Sequence, residues 1–487
     1  MPKISDIFSL GKTQRELDFV NINPNRDFPV YINPFVFSSR KDAFSMKASR
    51  TIRDFFQHNI TLIRSGKVDQ ARSNFRNLGE PNETCLGTSK RKPRGRGVGP
   101  ENADDLFESV LNSRAVTTGM LEHLEDTAIF IPGIGRDKVS DMSTNIIRKE
   151  LIEYTQSQCQ LHDIKLTPNT PSGFFWNTAS KTWDQEYTDM LVVGGKRILL
   201  VPKGVVSYVR EFTHSRYHRY FALEYLKEDH LQRNTSLVQV SYDKKGRIRR
   251  RFVTKKSLIE HELPAEKDRL LDFTENHPEI FADFRTKTAS EVQSLPNSSL
   301  ESIDERDLVQ HMLDKLRDLR PGQADAGAYH TLMVGITEYI FYPFLIHPVK
   351  EFRINDGRKR IDISFENAGV ERGFFHRVQH SFQLPCQYVS IECKNYSEDV
   401  ENPELDQMAG RFSLHTGKLG IIVCRTIENE QLFLQRCSDT YLAGQGLVIP
   451  LTDTDIESIL VALQDGDMNF VDNLLSDKAR RIMHRSN

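Results

Sequence analysis

The strongest constraint on how this chain can fold is a pair of short segments whose residues alternate in polarity. In Arg360-Ile361-Asp362-Ile363-Ser364-Phe365-Glu366, apolar Ile361, Ile363 and Phe365 interleave with polar residues. In Tyr388-Val389-Ser390-Ile391-Glu392-Cys393-Lys394, Val389, Ile391 and Cys393 do the same. A period of two is that of a β-strand, so each segment reads as a strand with one apolar face. Before the first lies Asn355-Asp356-Gly357, residue types that tolerate the positive φ of tight turns, and before that an extended stretch, Val349 to Ile354. This predicts a hairpin whose return strand covers Arg358 to Glu366. An apolar helix from about Ala326 through Phe344 precedes it. The strand Gln387 to Lys394, a helix over Pro403 to His415 and a strand over Leu419 to Cys424 follow, with a helical tail from Asp453. The order αβββαβ describes a compact α/β unit within residues 303–487, its core at about 326–450 and its tail at 453–487.

A length of 487 residues suggests two to four domains. Residues 1–284 mix short helical and strand patterns, an α+β region whose fold the pattern does not resolve. The polar stretch from Arg285 to Ser302 is the expected linker. Beyond it Val309, Met312, Leu313, Leu316 and Leu319 recur at helical spacing until Pro321-Gly322. With 65 Lys+Arg against 67 Asp+Glu the net charge is −2, so any attraction to polyanions must be local. Two basic runs qualify. Lys90, Arg91, Lys92, Arg94 and Arg96 lie in a Gly- and Pro-rich loop, Asn82 to Asn102. Lys244, Lys245, Arg247, Arg249, Arg250 and Arg251 form the cationic rim of a predicted hairpin. The six cysteines contain no CxxC pair, which argues against a zinc ribbon or a disulfide framework and for a reducing cytoplasm. The most apolar stretch, His330 to His347, is broken by Thr337 and Glu338, and the N-terminus lacks a signal-peptide core, so no membrane association is expected. Gly133-Ile134-Gly135 lacks a full phosphate-binding pattern, so no nucleotide cofactor is expected. His214 and His218 lack an HExxH arrangement and read as a helix face.

Strand alternation would turn Asp362, Glu392 and Lys394 away from the apolar face toward one cleft. Two carboxylates in one place repel unless a cation joins them. Oxygen-rich ligation favours Mg²⁺ or Mn²⁺, and such an ion can hold a phosphate and activate water, which Lys394 would orient.

Asp362, followed thirty residues on by Glu392-Cys393-Lys394 within an αβββαβ order, resembles the PD-(D/E)XK nuclease superfamily, which includes many restriction endonucleases. The resemblance covers about a quarter of the chain and implies a restriction-endonuclease-like fold. It implies that Asp362, Glu392 and the Cys393 carbonyl bind the metal and that Lys394 serves the attacking water. The proline that often precedes the first Asp is replaced by Ile361. Similar nucleases carry a Glu in the first helix, a role that falls here to Glu338, whose structural alternative is a partner for Lys350 or Arg353. Gln407, in Gln407-Met408-Ala409-Gly410-Arg411, resembles the glutamine helix of such enzymes, its alternative being a surface amide. The resemblance thus implies a Mg²⁺-dependent endodeoxyribonuclease acting in prokaryotic host defence on DNA, with RNA not excluded. Residues 1–284 would serve recognition or regulation, alone, as a homo-oligomer or with a defence partner. The alternative is a catalytically silent or partner-gated nucleic-acid-binding subunit.

Overall fold

The computed structural model describes residues 2–87, 100–208, 211–292, 294–301, 303–354 and 359–484. The expected basic loop at Lys90, Arg91, Lys92, Arg94 and Arg96 and the turn Asn355-Asp356-Gly357 lie outside the described residues.

The fold is mixed α/β. The N-terminal part is mainly helical, with small sheets of two or three strands. Helix α1 (Pro34–Ser39) leads into α2 (Ala43–Arg64), whose start is fixed by Asp42, an N-cap that accepts a hydrogen bond from the Ser45 amide. Ala48, Ile52, Phe55, Phe56 and Ile60 of α2 recur at helical spacing and are buried, so one stripe of this long helix faces the core. Helix α3 (Arg148–Leu161) follows, then the hairpin β1 (Gln239–Tyr242) and β2 (Ile248–Phe252), then α4 (Pro278–Glu291).

The C-terminal part opens with α5 (Glu305–Asp318) and α6 (Ala326–Phe341). From Leu332 to Phe341 every residue of α6 is buried, as expected of a helix that is apolar on all sides. Strands β3 (Leu345–Ile354), β4 (Lys359–Asn367) and β5 (Tyr388–Lys394) pair antiparallel, with α7 (Gly373–His380) between the last two. Then come α8 (Asn402–Ala409), β6 (Leu419–Cys424), α9 (Glu430–Leu442), β7 (Leu447–Thr452), α10 (Asp453–Gln464) and α11 (Phe470–Met483). The five strands lie in the order β3-β4-β5-β6-β7, and β5, β6 and β7 run parallel. All six residues of β6 are buried, as a central parallel strand with both faces covered requires. Apart from α7, which is inserted between the second and third strands, the order from α6 to β6 is the αβββαβ that the sequence predicts.

Helix α8 sits close over the sheet at Gly420, where a Cβ would come within 2.7 Å of the Met408 sulfur. Only glycine admits this approach. The predicted helix to His415 stops at Ala409, and Gly410 and Arg411 turn beneath it toward the strands. Helix α6 ends three residues before the expected Phe344, because Pro343 pushes Tyr342 into extended backbone.

One buried apolar core runs from Ile4 to Leu300 and a second from Leu308 to Ile482, the latter joined by Leu161 of α3. The two cores therefore part close to the expected linker, but that stretch is not an open tether. Residues 285–291 complete α4, where Thr288 is buried and Arg285 pairs with Glu125 and Asp126, and Leu300 packs into the first core. The exposed charges of a docked amphipathic helix read as linker composition. Helix α3 packs along β3 and covers that edge of the sheet. Among the described residues no helix is long and apolar enough to cross a membrane, and all six cysteines are free thiols.

Candidate metal centre

In the antiparallel register of β4 and β5, Ile363 faces Ile391, Ser364 faces Ser390 and Glu366 faces Tyr388. One step further in that register sets Asp362 opposite Glu392. The main-chain ladder stops there, and the carboxylates take over its donors. The Asp362 amide donates to Glu392 Oε1 at 3.4 Å, and the Cys393 amide donates to Asp362 Oδ2 at 3.2 Å. Each acidic side chain is thus held by the backbone of the opposite strand, a charge-assisted arrangement that fixes where its oxygens sit.

Glu392 is only 2% exposed. Lys394 Nζ lies 3.2 Å from Glu392 Oε2, close enough for an ion pair but without hydrogen-bond geometry, so that buried oxygen keeps unused lone pairs. From beneath α8 the Arg411 guanidinium contacts Glu392 Oε1. Burial lowers the Arg411 pKa, opposed by the nearby Asp362. Burial, reinforced by Asp362, pushes the Cys393 thiol well above its ordinary range, so the thiol stays protonated and the residue's useful donor is its main-chain carbonyl. Asp362, Glu392, Cys393 and Lys394 are therefore brought together, with Arg411 as a fifth member.

Two other expected residues fall elsewhere. Gln407 is exposed on α8, while Arg411, in the same quoted stretch, turns inward because the helix ends at Ala409. Glu338 lies in a different cluster. Its Oε1 is 3.0 Å from Lys203 Nζ, an ion pair in which the side chains are 1% and 0% exposed. Burial pushes the Glu338 carboxyl up, Lys203 pulls it down, and Asp18 pushes it up again. Of the two alternative partners, Lys350 pairs with Asp163, and the Arg353 side chain lies outside the described ones. A carboxylate in an apolar helix needs a cation, and the N-terminal unit supplies it in Lys203.

This second cluster joins the two units. The Asp18 carboxylate accepts hydrogen bonds from Tyr154 Oη at 2.6 Å and from the His347 amide at 3.1 Å. His347 Nδ1 is 3.4 Å from Glu366 Oε2 and 3.9 Å from Asp42 Oδ1. The Ala43 amide donates to Glu366 at 3.0 Å, and Arg40 Nε to Asp42 at 2.8 Å. No local pattern announces this group, because its members come from six separate stretches of chain.

On the β1–β2 hairpin, Lys244, Lys245, Arg247, Arg249, Arg250 and Arg251 are all exposed, beside exposed Tyr242 and Ile248. Arg251 bonds the Asn234 side chain and Arg250 lies over Phe252.

No curated protein and no solved structure matches the chain. Residues 9–213 match the family described as "Domain of unknown function (DUF8370)", a span that holds Asp18, Asp42 and Lys203 and ends before the five-stranded sheet begins.

Proposed function

We propose that the C-terminal unit is a metal-dependent nuclease that hydrolyses phosphodiester bonds of DNA. The observation that carries this reading is the pairing of Asp362 with Glu392 across β4 and β5, with Lys394 two residues on along β5. The donor set fits a hard divalent cation: two carboxylates and a main-chain carbonyl, with a buried Glu392 oxygen lacking a hydrogen-bond partner. Asp362, Glu392 and the Cys393 carbonyl would hold Mg²⁺ or Mn²⁺. When bound, that ion supplies charge stabilisation at the phosphate and a lowered pKa for water. Lys394 orients the attacking water and offers positive charge to the phosphoryl oxygens, and Arg411 adds a second positive charge against the same carboxylates. The basic β1–β2 hairpin grips phosphates, and Tyr242 and Ile248 give it apolar surface for bases. The chain would act in the cytoplasm, where its free thiols persist, and host defence against foreign DNA is the role such an architecture suits.

A partner-gated enzyme is the second reading, favoured by one observation. Glu392 is nearly inaccessible and already faces both Lys394 and Arg411, so a cation must displace at least one of them. The test is incubation of the purified chain with supercoiled plasmid and linear duplex in Mg²⁺, Mn²⁺ or EDTA, beside Lys394→Ala. Metal-dependent nicking lost in the variant supports the nuclease reading. Cleavage that survives the substitution refutes the assignment of Lys394. No cleavage by the intact chain, with activity in a chain begun at residue 303, identifies gating, and silence in both supports a binding subunit.

A further inference from the structure

We infer that Asp42, His347 and Glu366 form a second metal site, one that takes a divalent transition ion of the zinc class and fastens the N-terminal unit to the sheet. The site is separate from the Asp362–Glu392 pair and does not depend on the nuclease reading.

Four observations converge on it. One ligand atom from each residue lies within 4.8 Å of the other two. His347 Nδ1 stands 3.4 Å from the Glu366 oxygen and 3.9 Å from the Asp42 oxygen. An ion about 2.1 Å from each atom would see these pairs at roughly 110° and 135°, the first close to the tetrahedral angle of a four-coordinate centre and the second wider than it. Secondly, the backbone is arranged to aim His347 inward. The β3–β4 register shifts between Ile346 and Val349, and His347 takes a left-handed φ of 51°, a conformation non-glycine residues adopt rarely. The residue is 5% exposed and its Nε2 has no hydrogen-bond partner, so the two carboxylates at Nδ1 are what its polar atoms face, while Phe44 and Tyr154 pack edge-to-face against the ring.

Thirdly, carboxylates outnumber the permanent cations. Asp18, Asp42 and Glu366 gather around the imidazole, while Arg40 is the cation paired with Asp42 and Lys203 is taken by Glu338. Three carboxylates against one guanidinium leave two negative charges; a proton on His347 offsets one of them, and a divalent ion that displaces that proton offsets both. Fourthly, the oxygens retain capacity. Asp42 Oδ1 accepts from the Ser45 amide and Glu366 Oε2 from the Ala43 amide, and an ionised carboxylate oxygen has a further lone pair. Glu366 keeps 18% of its side chain exposed, which gives an ion a way in. Imidazole nitrogen with two carboxylates selects Zn²⁺ or a similar ion over Mg²⁺, which prefers oxygen throughout.

Titration of the metal-stripped full chain with Zn²⁺ against a chromophoric chelator tests this, done in an Asp362→Asn background to remove the other carboxylate pair. About one tightly held Zn²⁺ per chain is expected, not displaced by millimolar Mg²⁺ and lost in Asp42→Asn and His347→Gln. Co²⁺ in its place should give the visible absorption of a four-coordinate centre. Absence of tight zinc binding, or zinc unaffected by His347→Gln in a chain whose circular dichroism is unchanged, overturns the site. If either substitution prevents folding, the titration of the chain with intact Asp42, His347 and Glu366 decides alone, since zinc binding must also raise its melting temperature. Failure here leaves the Asp362–Glu392 reading untouched, because cleavage is not the readout.

Discussion

Asp362 and Glu366 sit on one face of the same strand, about 13 Å apart along β4, yet they belong to polar clusters of opposite construction. At Asp362 every participant comes from the C-terminal unit: Glu392 lies across the strand pair, and Lys394 and Arg411 supply the cations. At Glu366 the partners cross between units, with Asp42, Asp18 and Lys203 from the N-terminal side meeting His347 and Glu338. The first cluster holds its carboxylates by backbone amides at the point where a ladder ends. The second ties two units together, and breaking it exposes buried charge. Strand alternation supplies the face in both cases, but what covers that face decides whether the carboxylate meets residues of its own unit or of the other one.

The sharpest way to separate the clusters is to neutralise one charge in each. Asp362→Asn should lower plasmid cleavage by about a thousandfold or more, within the range seen when a group acting on the reacting water is lost. Its melting temperature should stay close to that of the unaltered chain, because the Cys393 amide can still donate to the asparagine oxygen. A large fall in stability with little change in rate would reverse the proposed division.

Lys203→Met is the complementary change and should act on stability. It leaves Glu338 buried without its cation, which costs on the order of 3 kcal/mol. The pH dependence has a definite sign. Burial holds the Glu338 carboxyl above its unfolded range, so the folded chain binds the extra proton, and stability falls as pH rises through that window. Removing Lys203 moves the folded value higher still. Urea melts should therefore show the variant about 3 kcal/mol weaker at about pH 8 and much closer to the parent at about pH 5. Equal losses at both values would mean that packing against Tyr342, over whose ring Lys203 lies at 4.1 Å, outweighs the charge.

The same contrast explains what could be read from the chain. Asp362, Glu392 and Lys394 were legible because an antiparallel pair of period-two strands turns local pattern into cross-strand adjacency. Arg411 is hidden behind Gln407 in the sequence, since a helix continued to His415 turns the wrong residue inward, and the early stop at Ala409 depends on how α8 packs over Gly420. Glu338, inside an apolar stretch, signals the need for a partner, but Lys203 is remote in sequence, and no period links a lysine after one strand to a glutamate in a later helix. His347 was invisible because a bulge reverses which face a residue joins. Polar residues from Arg285 onward read as a linker because a docked helix shows solvent the same composition that a tether does.

Within the first cluster, Arg411→Met sharpens the question of what occupies Glu392 before a cation arrives. Arg411 competes for a Glu392 oxygen, so its removal should tighten Mn²⁺ binding about tenfold, equivalent to about 1.4 kcal/mol. Calorimetric titration reads this independently of cleavage. Weaker binding in the variant would show that Arg411 positions Glu392 for the ion, and the gating reading would lose its support.

The smallest expected effect lies farthest from both clusters. Lys244, Lys245, Arg247 and Arg249 are exposed on the β1–β2 hairpin, which makes them available to phosphates at no cost in broken contacts. Replacing one of them with Ala should weaken duplex binding only a few-fold, while the slope of log affinity against log salt drops by about 0.9 for each phosphate contact removed. Stability and metal binding should not move, since nothing in either carboxylate cluster touches the hairpin. An unchanged salt slope after replacing Lys245 and Arg249 together would take the hairpin out of the nucleic-acid surface. The grip would then have to come from charges beside the carboxylate pair itself, where Lys394 and Arg411 already stand, and binding and cleavage would share one set of cations.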